Sequence, residues 1–141
     1  MPKLIVDTNC MAETFSGTCS ADLRLVRDCL LSGAGVLTYG GSKLTEEYAR
    51  IDNVRRVLLR LDQAGRAQKV TRQLVDNEEA VIRALHICKS DDEHIIALAR
   101  ISGARVLCSK DQALHADFKN LTLIAPKGAV YQKAAHKKLL R

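Results

Sequence analysis

Residues 90–111, SDDEHIIALARISGARVLCSKD, predict a helix that leads through a tight turn into a short strand. The helix body is dense in aliphatic residues, which is typical of a helix packed on a sheet rather than one exposed to solvent. Ser90 followed by Glu93 is a capping-box pattern that places the helix start there, and Gly103 is suited to end the helix. The strand is then predicted over residues 104–108. Such a unit indicates a chain in which helices cover a sheet.

Short apolar runs alternate with amphipathic segments along the rest of the chain. The apolar runs predict further strands at 3–6, 35–39 and 121–125. Helical spacing predicts helices at 20–31, 42–61, 76–87 and, as a short turn, 111–118. The N-caps expected for the three longer helices are Ser20, Ser42 and Asp76, and Gly33 is expected to end the first of them.

This alternation is typical of an α/β protein, and we expect a three-layer α/β/α single domain with a central, mostly parallel sheet. The chain shows no internal repeat and no low-complexity segment. The folded domain is predicted to span residues 1–126, followed by a basic C-terminal tail at 127–141.

Charge and cysteine content narrow the functional classes. Twenty-two Lys and Arg against sixteen Asp and Glu give a formal charge of +6, which suits a polyanionic partner. No apolar run reaches the roughly eighteen residues of a membrane span, and the start, MPKLIVD, lacks the pattern of a signal peptide. We therefore expect a cytoplasmic protein with no membrane partner. Reduced, buried thiols are expected rather than a zinc site or a disulfide at Cys10, Cys19, Cys29, Cys88 and Cys108.

Acidic side chains follow the ends of the predicted strands. Asp7 ends the first strand, Glu46 and Glu47 lie in the first turns of the helix after the second, and Asp111 comes three residues after the strand at 104–108. In parallel sheets, sites form outside the carboxyl ends of the strands. Connectivity alone therefore places these acids at one edge of the sheet.

Two further acids, Asp91 and Asp92, open the helix that precedes the strand at 104–108. Because that helix must run antiparallel to its strand, it starts at the same edge of the sheet. A charged first helical turn, stabilised by the helix dipole, is the alternative explanation for this pair. Asp92 stands three and four residues before Ile95 and Ile96 and so lies nearer the apolar side, which makes it the favoured ligand. Asp91 is expected to act as a supporting ligand or a helix-end charge.

The helical period distinguishes the two glutamates. Glu47 lies beside Leu44 and Tyr48 on the apolar side of its helix. Glu46 is turned away from that side by about 100°. Glu47 is therefore the predicted inward-facing acid, with Glu46 in a supporting place.

Clustered carboxylates repel one another unless a cation neutralises them. Ligands that are all oxygen favour a hard ion, Mg²⁺ or Mn²⁺, over zinc. Combined with a basic flank, such a site points to hydrolysis of phosphodiester bonds, in which the metal activates water and stabilises developing charge.

A basic run lies between residues 50 and 72. It predicts either a solvated helix face or a surface for nucleic acid. The arginines of the second interpretation, as RNA-binding residues, are Arg50, Arg55, Arg56 and Arg60.

Four motifs in order, LIVDTN, an acid after GVLTYGG, DDEHIIALA and ARVLCSKD, resemble those of the PIN-domain nucleases over residues 3–125. The resemblance implies that four catalytic carboxylates hold Mg²⁺ or Mn²⁺: Asp7, Glu47, Asp92 and Asp111. It also implies polar support around them from Thr8, Asn9 and Ser109. The chain departs from the family pattern in its doubled glutamate and in its arginine-rich helix after Ser42.

PIN-domain nucleases typically cleave single-stranded RNA, and many are dimeric toxins of bacterial toxin–antitoxin pairs. The resemblance therefore implies an endoribonuclease with RNA, an antitoxin protein and a second copy of the chain as partners. Two alternatives stay open: a non-catalytic RNA- or protein-binding module on the same fold, and a 5′-nuclease-like activity on DNA. Aromatic residues are 4% of the chain, with no Trp, so no base specificity is predicted from stacking.

Overall fold

The computed structural model describes residues 1–141. Its sheet has five strands, and every pair of neighbours is parallel. The strands are β1 Lys3–Val6, β2 Val36–Gly40, β3 Ala67–Val70, β4 Val106–Cys108 and β5 Ala129–Tyr131. Their spatial order is β3-β2-β1-β4-β5. This confirms the predicted α/β class and its parallel sheet, and the arrangement is consistent with a three-layer α/β/α domain.

Seven α-helices and one 3₁₀ helix accompany the sheet. The α-helices are α1 Thr8–Thr14, α2 Ala21–Ser32, α3 Ser42–Ala49, α4 Asp52–Gln63, α5 Arg72–Leu85, α6 Glu93–Ser102 and α7 Gln112–Phe118, and the 3₁₀ helix is Ala134–Leu140. The buried apolar residues form one cluster, so a single core supports the whole chain. None of the helices combines the length and the apolar character needed to cross a bilayer. All five cysteines are free thiols.

The strand order reverses direction between β1 and β4. From β1 the chain continues to β2 and β3 on one side, whereas β4 and β5 lie on the other. In a parallel sheet such a reversal leaves a crevice outside the carboxyl ends of the two central strands, because the loops that leave them diverge. The backbone N–H of Asp7 donates to the carbonyl of Cys108 across this point, at 2.9 Å.

Three of the predicted helix boundaries are confirmed. The Ser20 side chain caps α2 by accepting from the N–H of Leu23, and Gly33 ends that helix with a left-handed φ of 80°. Gly103 ends α6 in the same conformation. Both glycines supply a backbone geometry that residues with a Cβ rarely adopt.

The predicted helix at 42–61 is wrong in one respect, because it is broken into α3 and α4. Ile51, between them, has an extended backbone with φ −110° and ψ 114°. The break lets Asn53, at the start of α4, donate its side-chain amide to the carbonyls of Ala12 and Phe15 at the end of α1. Those carbonyls have no partner within their own helix. The hydrogen bonds from Asn53 to the end of α1 therefore outweigh the helical spacing of residues 42–61, which taken alone predicts one continuous helix.

Strand β3 was not predicted, and α5 begins at Arg72 rather than at the expected cap Asp76. The strand is an exposed edge of sequence AQKV with one buried residue, Val70, so it carries little apolar signal. Asp76 instead accepts from the backbone N–H and the hydroxyl of Ser42, at 2.9 and 2.6 Å. Ser42 is therefore the first residue of α3, and Gly41 is its N-cap.

The predicted last strand at 121–125 is also wrong. Leu123 and Ile124 are buried, but their N–H groups donate locally to the carbonyl of Asn120 in a turn. The edge strand is β5, which lies within the segment 127–141 that was expected to be a tail. Tyr131 in β5 is completely buried, so this segment belongs to the fold.

Gly128 provides a test of how tightly β5 is held. A Cβ built at Gly128 would lie 2.5 Å from the carbonyl oxygen of Phe118 and against its ring. We expect Gly128→Ala to reduce the free energy of unfolding by about 1–3 kcal/mol, because the neighbouring backbone must shift. Gly17 has nothing within 4 Å of the same atom, so Gly17→Ala is the matched control. Urea denaturation of both variants would contradict the expectation if their midpoints coincided.

Candidate functional site

An open cleft of about 450 Å³ lies outside the carboxyl ends of β1 and β4. Its walls come from four parts of the chain: the β1–α1 junction, α3, the start of α6 and the loop after β4. The lining residues are Asp7, Thr8, Asn9, Cys10, Glu47, Asp92, Lys110 and Asp111. The structure thus brings the four acids predicted as ligands to one cleft, at the point where the strand order reverses. Glu46 and Asp91 are exposed and lie outside its lining.

The Asp7 carboxylate accepts hydrogen bonds from residues that follow both central strands, β1 and β4. One carboxylate oxygen accepts from the N–H of Thr8 at 2.8 Å and so caps α1, a helix that sequence spacing did not reveal. The other accepts from the hydroxyl of Ser109, just past β4, at 3.0 Å. Tyr48, fully buried on α3, donates its hydroxyl to the carbonyl of Val6. Burial raises the pKa of Tyr48 well above its ordinary value, so this hydroxyl keeps its proton.

Ser109 links two of the acids. Its hydroxyl donates to Asp7 and accepts from the backbone N–H of Asp111, at 3.1 Å. The Asp111 carboxylate caps α7 by accepting from the N–H groups of Ala113 and Leu114, at 3.0 and 3.2 Å. Ser109, predicted as a supporting residue, thus connects the Asp7 carboxylate to the backbone of Asp111.

Glu47 on α3 is tied to the other side of the cleft. It accepts from the hydroxyl of Thr8 at 3.2 Å, and the Nε2 atom of His94 lies 3.6 Å from the same oxygen. Burial, reinforced by the charges of Lys43 and Arg83, lowers the pKa of His94 to about 4. His94 is therefore neutral near pH 7, and its contact with Glu47 is not an ion pair.

Asp92 is the N-cap of α6, which begins at Glu93, so the capping box predicted from Ser90 is wrong. Ser90 instead accepts from the N–H of Asp92 at 3.2 Å and donates to Asp117 on α7 at 2.7 Å. The Asp117 carboxylate also accepts from the N–H groups of Lys89 and Ser90, at 2.8 and 2.9 Å. Asp117 thereby fixes the turn that delivers Asp92 to the cleft.

The Asp92 carboxyl differs from the other three acids. No side-chain hydrogen bond caps the helix from it. Burial, together with the charges of Asp7, Asp111 and Glu47 and against an opposing effect of Lys43, raises its pKa to about 6. The influence of all three other acids shows that the four carboxylates share one electrostatic environment.

The donor set fits Mg²⁺ or Mn²⁺ in type, because the cleft offers carboxylate oxygens and no available imidazole. As arranged, however, no three acidic, histidine or cysteine side chains lie close enough to hold one ion. Three of the carboxylates, those of Asp7, Glu47 and Asp111, instead accept hydrogen bonds from donors of the protein. Binding an ion therefore requires side chains of the cleft to rotate toward one another.

The cationic residues of the site differ from those singled out in the sequence. Lys110 lines the cleft, with its ammonium 3.0 Å from a carboxylate oxygen of Glu13. The four arginines predicted to bind RNA, Arg50, Arg55, Arg56 and Arg60, are exposed and lie outside the lining. Arg55 is paired with Asp52 at 2.9 Å. The arginine surface is thus separate from the cleft.

Sequence reasoning leaves Lys110 open between contact with a phosphate and a solvated position, and it misses Asp117. Lys110 had one available signal, its position between Ser109 and Asp111, yet a solvated lysine fits that position equally well. Asp117 had a weaker signal, an acid directly before the apolar Phe118 in a short helix. Its partners lie 27 and 28 residues away in the chain, beyond any local spacing rule.

Comparison of the chain with family models, with curated proteins and with solved structures found no match. The resemblance to PIN-domain nucleases therefore stays a prediction from four motifs, and the chemistry of the cleft carries the functional argument.

Proposed function

We propose that the protein is a Mg²⁺- or Mn²⁺-dependent endoribonuclease of PIN type that hydrolyses phosphodiester bonds of single-stranded RNA. The observation that carries this proposal is the convergence of Asp7, Glu47, Asp92 and Asp111 on one cleft that Lys110 also lines. Carboxylates that share one cleft repel one another unless a cation neutralises them, and a lysine beside them suits a phosphate.

In this proposal the four carboxylates hold the ion, which when bound supplies an activated water and neutralises developing charge. Ser109 and Thr8 orient Asp7 and Glu47 through their hydroxyl groups. The Lys110 ammonium is placed to contact a non-bridging phosphate oxygen of the substrate, and Glu13 holds it until the substrate enters. Asn9, exposed on the rim, offers an amide to the sugar–phosphate backbone.

A non-catalytic RNA- or protein-binding module on the same fold is the second candidate. The observation that favours it is that the acids do not yet lie close enough to share an ion. A thermal-shift titration separates the two candidates. A protein whose melting temperature is unchanged by millimolar Mg²⁺ or Mn²⁺ would be a module of this second kind.

The test of the proposed activity is cleavage of labelled single-stranded RNA by purified protein with Mn²⁺, with EDTA and with a DNA strand of the same sequence. We expect cleavage of RNA that requires the ion. Preferential cleavage of the DNA strand would instead support a 5′-nuclease-like activity. Absence of cleavage with every divalent ion tried would refute the enzymatic proposal.

A role as the toxin of a toxin–antitoxin pair, with an antitoxin and a second copy of the chain as partners, is part of the proposal. Its test is induced expression in a bacterial host, with Asp7→Asn as the matched inactive control. We expect growth to slow for the wild-type chain and not for the control. Equal growth of the two strains would remove the toxin role and leave the nuclease proposal in place.

The arginine surface yields a separate prediction. Arg56 and Arg60 are exposed on α4. If they bind phosphates, replacing both with Gln should lower the slope of log affinity for RNA against log salt by about 0.7 for each phosphate that is no longer neutralised. Arg24, exposed on α2, is the matched control. The affinity is measured by fluorescence anisotropy at several salt concentrations. If the slope of Arg56→Gln/Arg60→Gln matched that of Arg24→Gln, the basic run would be a solvated helix face.

A further inference from the structure

A second cavity, of about 440 Å³, adjoins the carboxylate cleft. Cys10 and Lys110 line both, so they form the wall between the two. The remaining lining residues are Ser20, Asp22, Leu23, Cys108, Ser109, Gln112, His115, Tyr131 and Gln132. We propose that this second cavity receives the base of the nucleotide next to the phosphate being cleaved, and that it discriminates between bases. This inference rests on the proposed function of the neighbouring cleft.

The size and the apolar part of the cavity suit a heteroaromatic base. Its volume falls in the range of pockets that enclose small ligands, about 300–1,000 Å³. Leu23, Cys108 and Tyr131 are buried and supply an apolar floor. The Tyr131 hydroxyl already donates to the carbonyl of Asp22 and the side chain is completely buried, so Tyr131 supports the floor of the cavity from within the core.

Hydrogen bonds hold one amide of the cavity in a fixed orientation. The carbonyl of Ser109 can only accept, so the Nε2 atom of His115, 2.5 Å away, carries the proton. The Nδ1 atom of His115 then accepts from the side-chain amide of Gln132, at 2.8 Å. This leaves the Gln132 carbonyl oxygen and one N–H for a ligand. Such a pre-oriented donor–acceptor pair matches the edge of a base.

A second amide adds to this selectivity. Gln112, the first residue of α7, lines the same cavity and is exposed. Base reading by two amides needs no aromatic stacking platform, which agrees with the low aromatic content of the chain.

The charges around the cavity favour a nucleotide over an ion. The carboxylate in its lining, that of Asp22, accepts from the N–H of Ala134 at 2.9 Å and has no second acid beside it. The cation, Lys110, stands at the wall shared with the cleft. A chain of alternating bases and phosphates fits this order, with a phosphate at Lys110 and a base beyond it.

The test uses four dinucleoside monophosphates, ApA, CpC, GpG and UpU, titrated into the wild-type protein without divalent ions and followed by amide NMR shifts. We expect shifts at residues of the second cavity and affinities that differ by about tenfold between the best and the worst base. Gln112→Met and, independently, Gln132→Met should reduce that difference to about twofold. Gln63→Met, which changes an exposed amide on α4, should leave it unchanged.

Shifts confined to the carboxylate cleft or to the arginine surface would overturn the inference, and so would equal affinities for the four compounds. These outcomes are independent of catalysis. Selective binding by a protein that cleaves no RNA would refute the nuclease proposal and keep the base site. Metal-dependent cleavage without selective binding would do the reverse.

Discussion

Replacing Asp92 with asparagine is expected to reduce metal-dependent RNA cleavage by at least about 100-fold, while the metal-free variant melts at a higher temperature than the wild type near pH 8. The loss of activity follows from removing one ligand charge in four, since the electrostatic contribution of a positioned charge is usually worth two to three orders of magnitude. The gain in stability follows from the crowding of the acids. Opposite changes in activity and stability are typical of substitutions in a functional site, where crowded groups are kept at a cost in stability.

The sign of the stability change follows from the pKa of Asp92. That pKa is raised to about 6 in the folded protein, above an ordinary value of about 4. The stability it contributes is complete below about pH 4 and is lost as the pH rises through 6. The full difference would amount to about 3 kcal/mol, and solvent screening of a half-buried carboxyl lowers the expected gain for asparagine to about 1 kcal/mol.

The measurement is thermal unfolding in EDTA at pH 4 and pH 8, repeated with Mn²⁺. At pH 4 the difference in melting temperature between wild type and Asp92→Asn should vanish, and at pH 8 Mn²⁺ should stabilise wild type more than the variant. Asp91→Asn, which changes the exposed neighbour outside the cleft, is the matched control and should behave as wild type. If Asp92→Asn still cleaved RNA at the wild-type rate, Asp92 would not be one of the metal ligands.

The second large effect is expected at Asp117, which is 2% exposed and accepts three hydrogen bonds from Lys89 and Ser90. Asp117→Ala leaves two backbone N–H groups and a hydroxyl without their partner. At about 1–3 kcal/mol for each of the two buried donors of Ser90 left unpaired, the free energy of unfolding should fall by at least about 2 kcal/mol. Cleavage should fall as well, because the turn before Asp92 loses its anchor.

Two further variants make this prediction specific. Asp117→Asn keeps one acceptor oxygen and should lie between wild type and Asp117→Ala in the urea midpoint. Asp28→Ala removes an exposed acid from α2 and should change stability by less than about 0.5 kcal/mol. If Asp117→Ala unfolded at the same urea concentration as Asp28→Ala, the turn before α6 would not depend on this carboxylate.

The convergence of the acids could be predicted because it follows from connectivity. Asp7 and Asp111 follow parallel strands, so topology alone carries them to one edge, and the choice of Glu47 over Glu46 follows from the helical period. The break at Ile51 could not be predicted, because its cause is an amide contact between Asn53 and another helix.

Strand β5 illustrates a different limit. The residues 121–125 carry a stronger apolar signal than Ala129–Tyr131, yet they form a turn. An apolar run indicates that a segment is buried, and Leu123 and Ile124 are indeed buried. It does not indicate whether the segment pairs with a strand. Which buried segment pairs with the sheet edge depends on tertiary contacts, among them the close approach of Gly128 to Phe118.

The hydroxyl of Ser109 bears on how the site would take up the proposed ion. It bonds to both the Asp7 carboxylate and the backbone N–H of Asp111, so it fixes the position of one acid relative to the backbone of the other. Glu47 is restrained by Thr8, whereas no capping bond restrains the Asp92 carboxylate. If the site holds an ion as proposed, Asp7 and Asp111 would present carboxylates whose positions are already set by hydrogen bonds, and the unrestrained Asp92 side chain would turn toward the ion to complete the site.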